Sequence, residues 1–405
     1  MDERDVIVVG GGVSGLSFAW HAAAAGRQAL VLEGAERLGG CVDTRRLGSG
    51  FWFEMGAHTA YNSYRGLIEI LEGCGLLDRI QPRGEVRARF GLLREGRLEV
   101  MSPFSVLLRF DKGELLRSAP RGLLRSKEGL TTYAWYSGVV GKRNYDRVLG
   151  PFLAAVPSQS ADAFPASGPG SLFKTRRRRK DVVKSFTLRN GLSAVVDAAA
   201  GQPRIETRTG AVVREVRRAG AGYEVVVQDQ GTIAARTVAL AVPPSMAAAL
   251  VRGGFPELAG HLARVRMALL ETVGVVVAKE KVSLPEMAFL VPVDDIFHSA
   301  VTRDPVPDPR FRAFAFHFKP RHTREERMAR IGRALGVEVG VLDEVTEKMV
   351  MLPSPVLGHG ELVREIDRVV AGGRLAVTGN YFGGLALEDC VARSKAEWQR
   401  VAALV

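Results

Sequence analysis

Apolar runs and helical periodicities alternate in a fixed order over the first forty positions. Residues 5–10, DVIVVG, form a short continuous apolar run that ends in glycine. Residues 13–26, VSGLSFAWHAAAAG, space small and apolar side chains as a helix does, and residues 27–33, RQALVLE, are a second apolar run closed by an acid. Together they predict strand, glycine turn, helix, strand. From about residue 64 to about 190 the pattern changes to apolar-plus-basic helical stretches, at 105–117 and 144–155, broken by proline and glycine. This segment reads as an insertion. Asn190-Gly191 then opens a helical run over 192–201, and alternating stretches at 211–217 and 223–228 flank a turn at 219–222. An apolar strand at 237–242 is stopped by Pro243-Pro244. Strands at 271–277 and 313–318 with a helix near 323–335 predict a mixed sheet. The chain closes on a strand at 374–378, a turn at Gly379-Asn380, and a helix from about 383 to 404. No internal repeat or low-complexity tract interrupts this order.

The 405 residues are enough for two interwoven domains, and 46% hydrophobic with 25% charged residues is a globular composition. No uncharged apolar run reaches the roughly 20 residues that span a bilayer. The opening MDERDVIVV carries acids where a secretory signal carries lysines, so the expected location is the cytoplasm. Cys41, Cys74 and Cys390 are far apart and lack a CxxC pair or a histidine at ligand spacing. They read as free thiols, and no metal is expected. A net charge of +12 favours anionic ligands or surfaces, although a diffuse basic surface also serves solubility. The run Arg176-Arg177-Arg178-Arg179-Lys180 has no interleaved aromatics, so nucleic acid is not an expected partner. Residues 105–116, SVLLRFDKGELL, and 121–130 join leucines to basic residues as interfacial helices do. Core-facing amphipathic helices look alike, and peripheral contact with the inner face of the membrane is held open.

The chemistry is concentrated in the glycines. Gly10-Gly11-Gly12-Val13-Ser14-Gly15 matches GxGxxG on Gly10, Gly12 and Gly15, between a strand and a helix. The first glycine permits a tight turn, the second lets the backbone approach a pyrophosphate at the helix N-terminus, and the third lets the helix pack against the strand. Glu33 ends the next strand, where a carboxylate can accept ribose hydroxyls. No Ser-His-Asp or paired-carboxylate pattern stands elsewhere in the chain.

The stretch Glu33-Gly34-Ala35-Glu36-Arg37-Leu38-Gly39-Gly40 resembles the signature of the amine oxidase and protoporphyrinogen oxidase superfamily of flavoproteins, in which the second glycine pair runs along the FAD pyrophosphate. Cys41 stands where many relatives with amine substrates carry arginine. Phe53-Glu54-Met55-Gly56-Ala57-His58 resembles the segment that passes the flavin ring. Residues 375–386, with Gly379, Asn380, Gly384, Leu385 and Ala386, resemble the closing flavin motif, whose helix N-terminus faces the N1 and O2 edge. By the same resemblance Val213 lies over the adenine, and Val242-Pro243-Pro244 ends the strand before a buried turn. Residues 148–153 (VLGPFL), residues 379–390, and Leu352-Pro353 with Gly358-His359 are most similar to protoporphyrinogen oxidases.

The resemblance implies an α/β fold: an FAD-binding Rossmann-like domain of the glutathione-reductase and amine-oxidase type, with an inserted mixed α+β substrate domain. The first is expected from residues 1–62, 191–245 and 345–405, the second from 63–190 and 246–344. It implies noncovalent FAD and an oxidase or dehydrogenase that moves a hydride to flavin N5 from a large apolar small molecule, anionic if the charge is a guide, with dioxygen as acceptor. An amine oxidase or a polyene desaturase is the alternative within the superfamily. A flavin-binding protein without turnover is the alternative outside enzymes. His58, Tyr61, Asn62 and Tyr381 are the candidates to line the flavin, and Lys319 to position a water; no catalytic residue is assigned.

Overall fold

The computed structural model describes residues 3–404. Strand β1, Arg4–Val9, lies between β2, Ala29–Leu32, and the long strand Gly231–Leu240, and both pairings are parallel. Every residue of β2 and the last four of β1 are buried. A parallel strand covered on both faces must be apolar throughout, which is why these runs are continuous rather than alternating. The sheet continues from β2 to Ile205–Arg208 and, on the other side, through the antiparallel hairpin Gly222–Val227 and Val213–Ala219. Leu375–Val377 joins the far end of Gly231–Leu240 in parallel. Helix α1, Val13–Ala24, and the last helix, Leu387–Ala402, share the core on one face, where the Phe18 and Trp398 rings meet edge-on at 5.6 Å. Helices Pro244–Val251, Pro256–Ala263 and His359–Val370 cover the other face.

A second seven-stranded sheet runs in the order Leu342–Pro353, Met267–Ala278, Phe311–Phe318, Phe297–Thr302, Phe289–Val293, Phe90–Arg94, Arg97–Met101. One face packs on helix Arg324–Leu335. The other meets the hairpin Thr44–Arg46 and Trp52–Glu54 of the first unit, through Phe53, Met55, Val276 and Ala313. The approach is so close that a Cβ at Gly274 would overlap the Met55 sulfur and the Phe53 ring. Helices Lys112–Leu123 and Thr132–Val140 form a smaller cluster with residues 142–155 around Tyr145 and Phe164.

The α/β architecture with an inserted mixed unit is as expected, but three expectations change. The helix foreseen at 105–117 is two helices, Pro103–Leu107 and Lys112–Leu123, because Asp111 caps the second by accepting the Glu114 N–H at 2.9 Å. The final helix begins at Leu387 rather than 383, since residues 379–386 make the turn before it. The foreseen domain segments also shift. Leu342–Pro353 belongs to the second sheet, paired along Met267–Ala278, whereas helix Arg65–Gly73 and the two helices after Pro243 pack on the first.

Glu54 ties this framework together. Its buried carboxyl accepts the Leu192 N–H at 2.7 Å and the Thr44 hydroxyl at 2.8 Å, and Thr44 in turn accepts the Ser193 N–H at 3.0 Å. Burial drives its pKa from 4.5 to about 7, against the pull of those two donors. An acid whose folded pKa is raised stabilises the fold while protonated, so the contribution is full below about pH 4.5 and is lost as pH rises through about 7. Glu54→Gln should therefore flatten the pH dependence of stability. The unfolding free energy from urea titrations between about pH 5 and pH 8 is expected to fall for the natural protein, by an amount on the order of 3 kcal/mol, and to change much less for the variant.

Candidate functional site

The three motif glycines are required for different reasons. Gly10 has φ +105°, and a Cβ on it would lie 2.6 Å from the Ala241 carbonyl oxygen; a Cβ on Gly15 would fall on the Gly10 carbonyl oxygen. Those two are filled by the protein's own backbone. At Gly12 the nearest atom to an added Cβ is Gly40 Cα, at 3.8 Å, so this glycine leaves a trough. Gly40, with φ +57°, faces it, and the Gly39 N–H donates to the Gly11 carbonyl at 2.8 Å. The trough between the two glycine turns opens at the N-terminus of α1, where Gly12 caps the helix without a side-chain hydrogen bond. Unpaired N–H groups and the helix dipole there suit a pyrophosphate. Val13 and Ser14 are buried in the first turn, and the Ser394 hydroxyl donates to the Ser14 carbonyl at 2.8 Å, locking α1 to the last helix.

Glu33 is held at the rim by two backbone donors, Gly11 N–H at 2.7 Å and Ala35 N–H at 2.9 Å. Gly34 and Ala35 are exposed beside it. Hydrogen bonds from Gly210 N–H to Ala35 and from Ala211 N–H to Glu33 bring the strand that begins at Val213 alongside. One end of the trough thus gathers Glu33, Gly34, Ala35 and Val213, a set that fits an adenosine. Arg37, to which the motif reading gave no role, fastens the second glycine turn: its guanidinium donates to the Leu38, Gly40 and Val42 carbonyls and pairs with Asp43 at 3.2 Å. A lone basic residue just before a glycine pair was the available signal.

At the other end Gly56 and Ala57 run against Cys41. A Cβ on Gly56 would overlap the Cys41 carbonyl oxygen, which accepts the Ala57 N–H at 2.9 Å. The second sheet roofs this end. Lys348, Thr272 and His317 stand in one register across three of its strands. The Thr272 hydroxyl lies 3.0 Å from His317 Nδ1, the Lys348 ammonium 2.7 Å from Asp43, and the His58 ring edge-on to His317 at 5.8 Å. Burial holds His58 well below its ordinary pKa and His317 at about 4, so both rings are neutral at pH 7. Burial also lowers Lys348, opposed by Asp43, and would raise Asp43, but the Lys348, Arg37 and Arg45 charges outweigh it and keep that carboxylate ionised. Burial pushes the Cys41 thiol up. His317 and Lys348 had not been singled out from the sequence. Lys319 had, and it lies beyond the strand end near His298 instead.

Of the four lining candidates, His58 lines a cleft beneath the second sheet. Tyr61 is 41% exposed and packs on Tyr64, with ring centroids 5.4 Å apart. The Asn62 amide is spent on the Val182 carbonyl at 3.1 Å. Tyr381 packs in the core against Phe382, and its carbonyl accepts from His359 Nε2 at 2.7 Å. Along an extended segment successive side chains point to opposite sides, which the motif alone did not resolve. In the closing turn Gly379 has φ +153°, and Asn380 follows. The Gly383 carbonyl accepts from Gly170 N–H and Lys174, Gly384 is kept free of a side chain by Asp389, and Leu385 packs on the helical cluster. Ala386 caps the last helix without a side-chain bond. The acids of that first turn look elsewhere: Glu388 accepts the Gly66 and Leu67 N–H groups, and Asp389 pairs with Lys174 at 2.9 Å and Arg176 at 2.8 Å. The basic run is therefore partly a strap. Arg179 pairs with Asp181 and Glu72, while Arg177, Arg178 and Lys180 are exposed.

The arrangement is a dinucleotide trough whose far end lies under an apolar, imidazole-bearing sheet. The chain resembles known proteins. The 15-cis-phytoene desaturase of Narcissus pseudonarcissus is 35% identical over 77 residues, 19% of this chain and 14% of that protein. The coproporphyrinogen III oxidase of Propionibacterium freudenreichii subsp. freudenreichii is 37% identical over 97 residues, 24% of this chain and 18% of that protein. Both matches thus span a small part of the relatives' own length. A solved protein assigned as a protoporphyrinogen oxidase, from Exiguobacterium sp. 255-15, shares the fold over 100% of both chains with a TM-score of 0.81 at 19% identity. The family profile described as flavin containing amine oxidoreductase matches residues 13–278, and with the trough, its acid and its roof in place the chain belongs to that family of flavoprotein oxidoreductases.

Proposed function

We propose that this protein is an FAD-dependent oxidase or dehydrogenase that takes a hydride from a large, mostly apolar substrate of the porphyrinogen kind. The observation that carries the reading is the sign of the charges around the roofed end of the trough. Arg37, Arg45 and Lys348 surround the buried carboxylate Asp43, and the imidazoles of His58 and His317 are neutral. A protonated amine would enter a field of its own sign. A neutral or anionic substrate would not. The choice of FAD over a mononucleotide rests on the adenosine end, where Glu33 and Val213 would have no ligand otherwise. Bound along the trough, the flavin would supply a hydride acceptor at N5 and pass its electrons on to dioxygen.

The chain's own residues would bind, orient and exclude water. Gly12 and Gly40 admit the pyrophosphate, Glu33 takes the ribose hydroxyls, and the uncapped helix at Leu387 favours negative charge near its N-terminus by about 0.3–1 kcal/mol. Buried neutral histidines make a wall that needs no counter-ion when an apolar substrate displaces water. The local identity with a phytoene desaturase favours a second reading, a polyene as substrate.

The cofactor part is tested with two glycines. The purified protein is expected to be yellow and to release FAD on acid denaturation. Gly12→Val should fold, because the trough leaves room for the side chain, but should carry little or no flavin. Gly15→Ala should lower stability as well, because its Cβ strikes backbone. Thermal midpoints of the apoproteins and flavin absorbance per chain separate the two; full flavin occupancy in Gly12→Val would place the cofactor elsewhere. The substrate part is tested by anaerobic mixing with protoporphyrinogen, which should bleach the flavin, with colour restored in air. A flavin that stays oxidised with this compound while a polyene or an amine bleaches it would replace the tetrapyrrole and leave the flavin.

The helices at 103–124 support a further part of the proposal, peripheral membrane contact. Phe104 is 71% and Leu124 90% exposed, and Leu107, Leu108, Leu116 and Leu123 are exposed around them, with Arg109, Lys112 and Arg125 nearby. Among the described residues no helix is long and apolar enough to cross a membrane. Cosedimentation with anionic vesicles at low salt should exceed that with neutral vesicles and fall in high salt. Leu116→Asp with Leu124→Asp should abolish it, and no partitioning in the natural protein would remove this contact from the proposal.

A further inference from the structure

His58 belongs to two places at once. Besides meeting His317, it lines a small open cleft between the strand Trp52–Glu54, the strand Ser185–Leu188 and the second sheet. The walls are largely apolar, with Trp52, Phe53 and Phe314 among them, yet Arg83, Arg303, Thr187 and His58 all line it.

These polar groups lack acceptors. The Thr187 hydroxyl is buried without a partner, and so are His58 Nε2 and Arg303 Nε. Among the described residues neither Arg83 nor Arg303 makes a carboxylate ion pair; Arg303 gives one N–H to the Val306 carbonyl at 2.6 Å. The acid on the lining is Glu54, and its two oxygens are taken by Leu192 N–H and the Thr44 hydroxyl. Burial lowers the pKa of both arginines, opposed at Arg303 by the Asp308 and Glu54 charges, neither of which pairs with it directly.

The Arg303 side chain and the Arg83 backbone are both held in place. The Arg303 guanidinium rests on the rings of Phe51 and Trp52, 4.6 and 4.5 Å from their centroids. The next residue, Asp304, is fixed by a buried ion pair to Arg312 at 2.6 Å. Arg83 follows the strand Ile80–Pro82, and its own N–H is bonded to the Ser185 carbonyl. A planar two-oxygen anion is the ligand that guanidinium groups held in this way recognise.

We propose that this cleft is a carboxylate pocket, in which Arg83 and Arg303, assisted by the Thr187 hydroxyl, hold an acidic substituent of an otherwise apolar substrate. The assignment deepens the functional reading above and rests on it for the statement that the bound molecule is the one oxidised. Because His58 is shared, a carboxylate held here anchors the substrate beside the roofed end of the trough. Binding at this distance from the reacting carbon acts on the ground state and the transition state alike.

The test uses the flavin-loaded protein and benzoate against its neutral counterpart benzamide, followed by quenching of tryptophan fluorescence, since Trp52 lines the cleft. Benzoate is expected to saturate and benzamide to bind much more weakly. Arg83→Met should weaken benzoate about tenfold or more, and Arg83→Lys less, with flavin content per chain as the check on folding. Arg303→Lys should also weaken it, because a lysine cannot stack and fork as the guanidinium does. Equal binding of benzoate and benzamide to the natural protein, or benzoate binding unchanged in Arg83→Met and Arg303→Lys, would overturn the pocket. Should Arg83→Met lose its flavin, the benzoate–benzamide comparison and the two lysine variants still decide. Intact, arginine-dependent benzoate binding in a protein whose flavin no substrate reduces would leave the pocket standing and fail the oxidase reading.

Discussion

Everything in this molecule is arranged around places where backbone must touch backbone. Helix α1 can sit on β1 only because Gly15 lets it reach the Gly10 carbonyl, and Gly10 itself must take a left-handed φ against Ala241. Those contacts set the angle at which the helix N-terminus emerges, and so the direction of its unpaired N–H groups. The facing turn at Gly39-Gly40 is fixed just as tightly, but by a side chain: Arg37 gathers three carbonyls of its own loop and one carboxylate. Close packing on either side leaves one unfilled strip, between Gly12 and Gly40. A site of this kind is what remains when the rest of the interface has no slack.

The second sheet depends on a similar contact. Gly274 lets the central strand Met267–Ala278 lie directly on Phe53 and Met55. With the strand at that height, Thr272, two residues earlier and on the same face, is carried over the turn at Cys41 and His58, and its cross-strand neighbours His317 and Lys348 come with it. The roof is thus a consequence of sheet register. A one-residue slip would turn all three side chains to the opposite face, where the apolar core lies.

Local signals in the sequence revealed the first of these contacts and not the second. The glycine turn, Glu33 and the strand-helix-strand order are contiguous, and each carries its own physical mark, so the parallel sheet was legible. The strand Leu342–Pro353 was not. Asp343, Glu344, Glu347 and Lys348 give it a polar look, because it is half-exposed at the edge of an antiparallel sheet. The place of Lys348 beside Asp43 becomes visible only when the strand is paired to Thr272. Tyr61 and Asn62 show the opposite failure. They follow the flavin-proximal motif closely in sequence, but Tyr61 turns outward and Asn62 holds the 182 turn. The role of the basic run was not legible either, since three cations in and beside it, Lys174, Arg176 and Arg179, serve ion pairs that fasten the segment to the last helix and to Glu72.

The net charge of +12 is spread widely over the surface, but Arg83 and Arg303 line the cleft beside His58 and, among the described residues, make no carboxylate ion pair. Burying a guanidinium with its donors unmet lowers stability, so such a group persists where a ligand completes it. Histidines in the same place carry no such cost, because burial keeps them neutral. The combination sets the two cleft arginines beside neutral imidazoles. An apolar substrate with an acidic edge would therefore be oriented on entry by charge and held near the trough by shape. A proton-transfer pair is not needed for that orientation. Under the proposed function, this chain's side chains would place the substrate rather than break its bonds.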